Sequence, residues 1–249
     1  MVSRVGATFL VAAMASCTKP FSLKEASPLA SDLSASVTWS PAIGLQSVAA
    51  IPSRLAAPFE VPYDTTFLAS DGTTKQATIK SCNEYFELRP KGYEPLMVTD
   101  AAAMRIEGAT CQALRALQTA RPASKNPRQA FSLGAETLGQ LPAAMGPAVN
   151  PADVDRRTKA TAAGKSWTFA DPEATLMVSD AWTARVKGGG WMTELKVLAR
   201  GDFDGDGYED ILFEAVSTGT EGRWSDISLR LLTTASGTSV MRILREYQL

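Results

Sequence analysis

The sequence predicts an α+β fold, with a small N-terminal hairpin-plus-helices region followed by a mostly antiparallel C-terminal β-sheet or sandwich. Three features of its 249 residues carry that expectation. Apolar residues recur at helical spacing within 99–121, and a capped helical segment starts at Asn150. Beyond Gly164 the pattern changes to alternation, in seven short runs joined by turns rich in Gly, Asp and Ser. Hydrophobic residues make up 45% of the chain and charged residues 20%, enough for a sizeable core in one large domain or two small ones.

Taken in order, residues 1–16 combine one basic residue, Arg4, with the apolar stretch Ala7 to Met14 and the small Ala15 and Ser16. That is the layout of an export signal, too short for a stable membrane span. Cys17 follows, and Met14-Ala15-Ser16-Cys17 resembles the bacterial lipobox. The resemblance implies cleavage before Cys17 and attachment to a membrane by acyl chains alone; the alternative is an ordinary secretory leader. Lys19 and Pro20 lack an aspartate of the inner-membrane retention type, which favours the outer membrane of a Gram-negative host, facing the periplasm. Residues 17–62 are rich in Ser, Ala and Pro with little periodicity and read as a tether.

The region 63–164 begins with two strand-like segments, 65–69 and 75–80, flanking Asp71-Gly72, a strong short-range hairpin signal. Residues 81–89 suggest a turn or two of helix. A longer helix spans 99–121, where Cys111, Leu114, Leu117 and Ala120 share a face and Pro122 ends it. Residues 136–145 suggest a short helix interrupted at Pro142. Asn150 then caps a helix with Pro151 in its first turn and Gly164 after its end. If Cys17 is consumed by lipid, Cys82 and Cys111 remain as a pair in an oxidising compartment. They form either one disulfide or two buried thiols; the disulfide would contribute about 3 kcal/mol.

The region 165–249 supplies the seven runs: 166–170, 174–179, 182–187, 191–199, 210–216, 225–233 and 239–247. Between the fourth and fifth lies Asp202-Phe-Asp204-Gly-Asp206-Gly-Tyr208-Glu-Asp210. Carboxylates at alternate positions of a tight loop turn toward a common centre, Gly207 allows the reversal, and the Tyr208 carbonyl and Asp210 can complete an oxygen cage. Calcium is the cation such oxygen ligands suit, while magnesium prefers fewer protein ligands. An EF-hand would need a bidentate Glu at position 12, where Phe213 stands. The motif resembles instead the Asp-x-Asp-Gly-Asp-Gly-x-x-Asp loop of FG-GAP and VCBS repeats of extracellular proteins. The match covers one loop, and an Asp/Gly-rich turn that binds nothing is the alternative.

Function classes narrow by composition. With 25 basic and 26 acidic residues the formal net charge is -1, which attracts no nucleic acid. Histidine is absent, removing Ser-His-Asp, Cys-His and zinc-His chemistries. No nucleotide-binding glycine motif or Cys-x-x-Cys occurs. A carboxylate pair could still hydrolyse a glycosidic bond, so enzymatic activity stays open but is not favoured. In the loop 217–225, Arg223 and Trp224 are candidate partner anchors. The chain therefore reads as an exported, lipid-anchored calcium-binding protein that acts as a non-enzymatic binding or inhibitor module. In plan it is similar to periplasmic lysozyme-inhibitor-type and immunity lipoproteins, whose partner would be a secreted or periplasmic hydrolase or toxin. The alternatives are a calcium-stabilised envelope hydrolase and a structural component of a surface assembly.

Overall fold

Alternation after Gly164 does produce strands, and each pairs with its neighbour in sequence. The computed structural model describes residues 37–125, 131–221, 224–235 and 239–249. The export signal, Cys17, the start of the tether and Arg223 lie outside the described residues. In chain order the structure contains β1 (Thr38–Trp39), α1 (Ile51–Ala56), β2 (Tyr63–Leu68), β3 (Thr74–Ile79), α2 (Cys82–Leu88), β4 (Glu94–Pro95) and α3 (Val98–Leu117). Then come α4 (Thr137–Gln140), α5 (Pro151–Ala162), α6 (Trp167–Ala170), β5 (Thr175–Val178) and β6 (Thr183–Gly188). The chain closes with β7 (Trp191–Gly201), β8 (Asp210–Gly219), β9 (Ser225–Thr233) and β10 (Arg242–Tyr247).

The large sheet has the order β10-β9-β8-β7-β6-β5, with β1 added to the far end of β7. All its pairings are antiparallel. The mixed α+β class holds. Helices and loops cover its faces, and Phe67 and Ile79 of the small sheet share one of its cores. On one face Leu198, Ala199, Leu212, Leu229 and Leu231 join a core with Ile51 and Leu55 of α1, Tyr85 of α2 and Leu114 and Leu117 of α3. On the other face Trp191, Leu195, Val197, Ile211, Phe213 and Leu232 pack with Phe131, Leu138, Leu141 and Trp167. A register shift between Val197 and Ala199 lets both Leu198 and Ala199 serve the first core. Burial of these side chains contributes about 1.5–3 kcal/mol each before entropy is subtracted.

The expected hairpin is β2–β3, extended to three strands by β4, and Asp71 holds its turn by accepting the Thr73 N–H at 2.9 Å. Asn150 caps α5 by accepting the Asp153 N–H at 3.0 Å, as its position before Pro151 leads one to expect. Cys82 and Cys111 are bonded, with Cα atoms 5.3 Å apart, and tie α2 to α3.

Two expectations change. The described part of the tether, 37–62, is ordered: Trp39 donates its indole N–H to the Leu45 carbonyl at 2.7 Å, and Ile43, Ile51 and Leu55 are buried. Isolated apolar residues there dock on a core built by the rest of the chain. Residues 166–170 form a helical turn and not a strand, because Ser166 caps it by accepting the Phe169 N–H and Trp167 stacks on Trp191 at 5.8 Å. The described residues from 37 onward make one compact unit, with α1, α2 and α3 packed on the strands of the C-terminal half.

Candidate metal site

β7 and β8 are the longest neighbours in the sheet, and the acidic loop 202–210 joins them. Gly201 pairs with Asp210, so the loop starts and ends on the same rung of the ladder. Asp202, Asp204 and Asp210 each present a carboxylate oxygen within 4.8 Å of the others. Calcium–oxygen distances of 2.3–2.6 Å allow ligands on opposite sides of one ion to lie about 5 Å apart, so the three oxygens fit a single coordination sphere.

The loop shapes itself before any ion arrives. Asp202 accepts the N–H of Gly205 at 2.7 Å and of Gly207 at 3.0 Å, one through each carboxylate oxygen. Asp204 accepts the Asp206 N–H at 3.1 Å. Gly205 and Gly207 adopt φ of 86° and 88°, the left-handed region where a side chain is strained. Gly207 is further confined, since a Cβ there would lie 2.7 Å from Ser124 Oγ.

Asp210 differs from the rest. It is fully buried; one oxygen accepts the Phe203 N–H at 3.0 Å, and Oδ1 makes no hydrogen bond of regular geometry, the Thr233 hydroxyl favouring the charged carboxyl from nearby. Burial pushes its carboxyl up to about 6, with the Phe203 amide and Thr233 hydroxyl opposing and Asp204 and Asp206 adding to the rise. A buried carboxylate oxygen without a regular hydrogen bond, beside two further carboxylates, is a costly arrangement that a divalent cation would relieve.

Two further expected ligands, Asp206 and the Tyr208 carbonyl, lie in the same loop. Asp206 is not part of the converging trio; its carboxylate accepts the Tyr208 N–H at 2.8 Å. Tyr208 lies under the Lys125 ammonium, 5.0 Å from the ring centre. Glu209, between Tyr208 and Asp210, belongs to another neighbourhood: burial raises its carboxyl, and Arg200 and the Phe131 amide oppose that.

A strap from residues 121–125 was not foreseen from the sequence. Arg121 and Asp202 exchange two backbone hydrogen bonds of 2.8 Å, and the N–H groups of Ser124 and Lys125 both donate to the Gly207 carbonyl. Lys125 Nζ donates to the Asp206 carbonyl at 2.7 Å. The far end of the loop is held by Thr234, whose N–H and hydroxyl donate to the Glu209 carbonyl. No local pattern marks these contacts, because their partners are remote in sequence.

Of the two candidate partner anchors, Trp224 is described and half-buried. It stands at an open groove of about 650 Å³ between α5 and β9, with Val154, Arg157, Thr161 and Arg230 also in the walls. The expected loop 217–225 is shorter than its sequence suggests: β8 runs on to Gly219, and Ser217 is buried with its hydroxyl 2.8 Å from that of Thr193. Comparison with protein-family models, curated proteins and solved structures returned no match.

Proposed function

We propose that this chain is an exported, lipid-anchored calcium-binding protein that works by binding and not by catalysis, as an inhibitor or immunity-type module for an envelope or secreted hydrolase. The observation that carries the calcium reading is the convergence of Asp202, Asp204 and Asp210, with the buried Asp210 Oδ1 making no hydrogen bond of regular geometry. Calcium would supply the counter-charge, and its stabilisation follows its free concentration relative to its dissociation constant. The ion's role is structural. It would lock the β7–β8 connection and the strap 121–125 into one rigid end of the sheet, while partner recognition falls elsewhere.

The binding half of the reading is supported by the groove that holds Trp224. Its size lies within the range of ligand clefts, and Trp and Arg are the residues that most often anchor protein interfaces. The test is capture of periplasmic and secreted hydrolases by the immobilised chain, in calcium and in EDTA, followed by activity assays on what is captured. Stoichiometric inhibition lost in Trp224→Ala supports the reading. Turnover of an envelope polymer by the chain itself, or no capture under either condition, contradicts it.

A further inference from the structure

An open strand edge offers unpaired N–H and C=O groups to any other strand, and proteins blunt such edges with charge, proline or bulges. The two outer edges of the large sheet differ in this respect. β10 carries Arg242, Arg245 and Glu246, and its register breaks between Ile243 and Arg245. The outer strand β3 of the small sheet carries Lys75. By contrast, Ala174-Thr-Leu-Met-Val-Ser179 around β5 contains no charge, proline or glycine, and Met177 and Val178 are 56% and 46% exposed.

The backbone of β5 is ready to pair. Ser179 donates its N–H to the Thr183 carbonyl at 2.9 Å, and the register sets Met177 opposite Arg185 and Thr175 opposite Lys187. Bond-exchanging pairs alternate along an antiparallel ladder, so residues 175, 177 and 179 turn their amides and carbonyls toward β6. Leu176 and Val178 turn theirs outward, where no described residue bonds them. Leu176 packs on the Trp191 side of the sheet, and Met177 lies on the opposite side in a row with Arg185 and Glu194.

We propose that β5 pairs with β5 of a second copy of this chain, antiparallel about a two-fold axis through Met177, joining two sheets edge to edge. That axis sets Leu176 opposite Val178 of the partner subunit and Val178 opposite Leu176 of the partner subunit. Both outward N–H and both outward C=O groups of each strand are then satisfied. A one-residue slip would place side chains from opposite faces against each other. An axis at Leu176 would pair Val178 with Ala174 of the partner subunit, and the Ala174 amide is already held by the Asp171 carbonyl at 3.1 Å. With the axis at Met177, Leu176 and Val178 extend the row of Val186 and Ala184, Met177 meets its own copy, and no charge opposes a like charge. An uncharged strand with this parity is its own complement. One strand pair is a small interface, so dissociation falls at roughly micromolar concentrations or above.

Sedimentation velocity of the full chain tests this, in calcium, with Cys17→Ser to exclude its thiol, from about 1 µM to about 1 mM. A concentration-dependent monomer–dimer equilibrium is expected. Met177→Lys should weaken it about tenfold or more, whereas Met192→Lys, on the same face but two strands inward, should leave it unchanged. Met177→Cys should form an intersubunit disulfide, since facing Cα atoms at such a pair lie about 4.5 Å apart. Thr175→Cys should not, its copy lying about 14 Å away. A monomer at every concentration overturns the proposal and leaves the edge for a strand of a different protein. Indifference to Met177→Lys, or equal cross-linking at both positions, overturns it as well.

Discussion

Replacing Asp210 with asparagine should have opposite effects on the calcium-free and the calcium-loaded protein. The Asp210 carboxyl is fully buried and is pushed from 3.8 to about 6, mainly by burial. A rise of that size is equivalent to at most about 3 kcal/mol against the charged form. Because the folded value is raised, this contribution to stability is complete below about pH 4 and is lost as pH rises through about 6. The calcium-free wild type should therefore melt lower at about pH 7.5 than at about pH 5. Asparagine keeps the shape and an acceptor for the Phe203 N–H but cannot ionise. In EDTA at about pH 7.5 it should melt above the wild type, by up to about 6–12 °C at 2–4 °C per kcal/mol. In calcium the order should reverse, since the variant lacks a ligand. Circular-dichroism melts with EDTA and with calcium at both pH values give the answer. An Asp210→Asn protein that melts at or below the wild type in EDTA and still responds to calcium would refute the reasoning.

Asp204 is exposed, so Asp204→Ala should leave the EDTA melt within about 0.5 kcal/mol of wild type while calcium affinity, read by titration, falls at least about tenfold. Gly207→Ala adds strain at φ 88° and a Cβ 2.7 Å from Ser124 Oγ. It should cost about 1–3 kcal/mol in a denaturant titration, in EDTA as well as in calcium. Cys82→Ser with Cys111→Ser should lose about 2–4 kcal/mol, and a reductant should reproduce the loss on the wild type without adding to it in the variant.

Most of the sheet was legible because six of the seven runs alternate and are separated by turn residues. Ser225 to Thr233 is a strand over the very range its pattern marks. The remaining run, Ser166 to Ala170, alternates as well, but five residues are too few to separate periods, and the cap signal of Ser166 decided the outcome. The misreading of 37–62 has a different origin. Ser, Ala and Pro dominate its composition, yet Ile43, Ile51 and Leu55 are each 7% exposed or less, and docking depends on surfaces formed elsewhere. Within the loop, spacing located Asp202, Asp204 and Asp210 because alternate carboxylates around glycines converge by local geometry alone. Asp206 stands outside that trio, its carboxylate accepting the Tyr208 amide. The strap at Arg121–Lys125 was illegible because an extended backbone pairing across the loop needs no particular side chains.

Isothermal titration of calcium into the metal-free full chain at neutral pH addresses the central claim most directly. One calcium per chain is expected, with binding lost in Asp210→Asn and strongly weakened in Asp204→Ala. Binding that persists unchanged in both variants, or no binding at millimolar calcium, would contradict it.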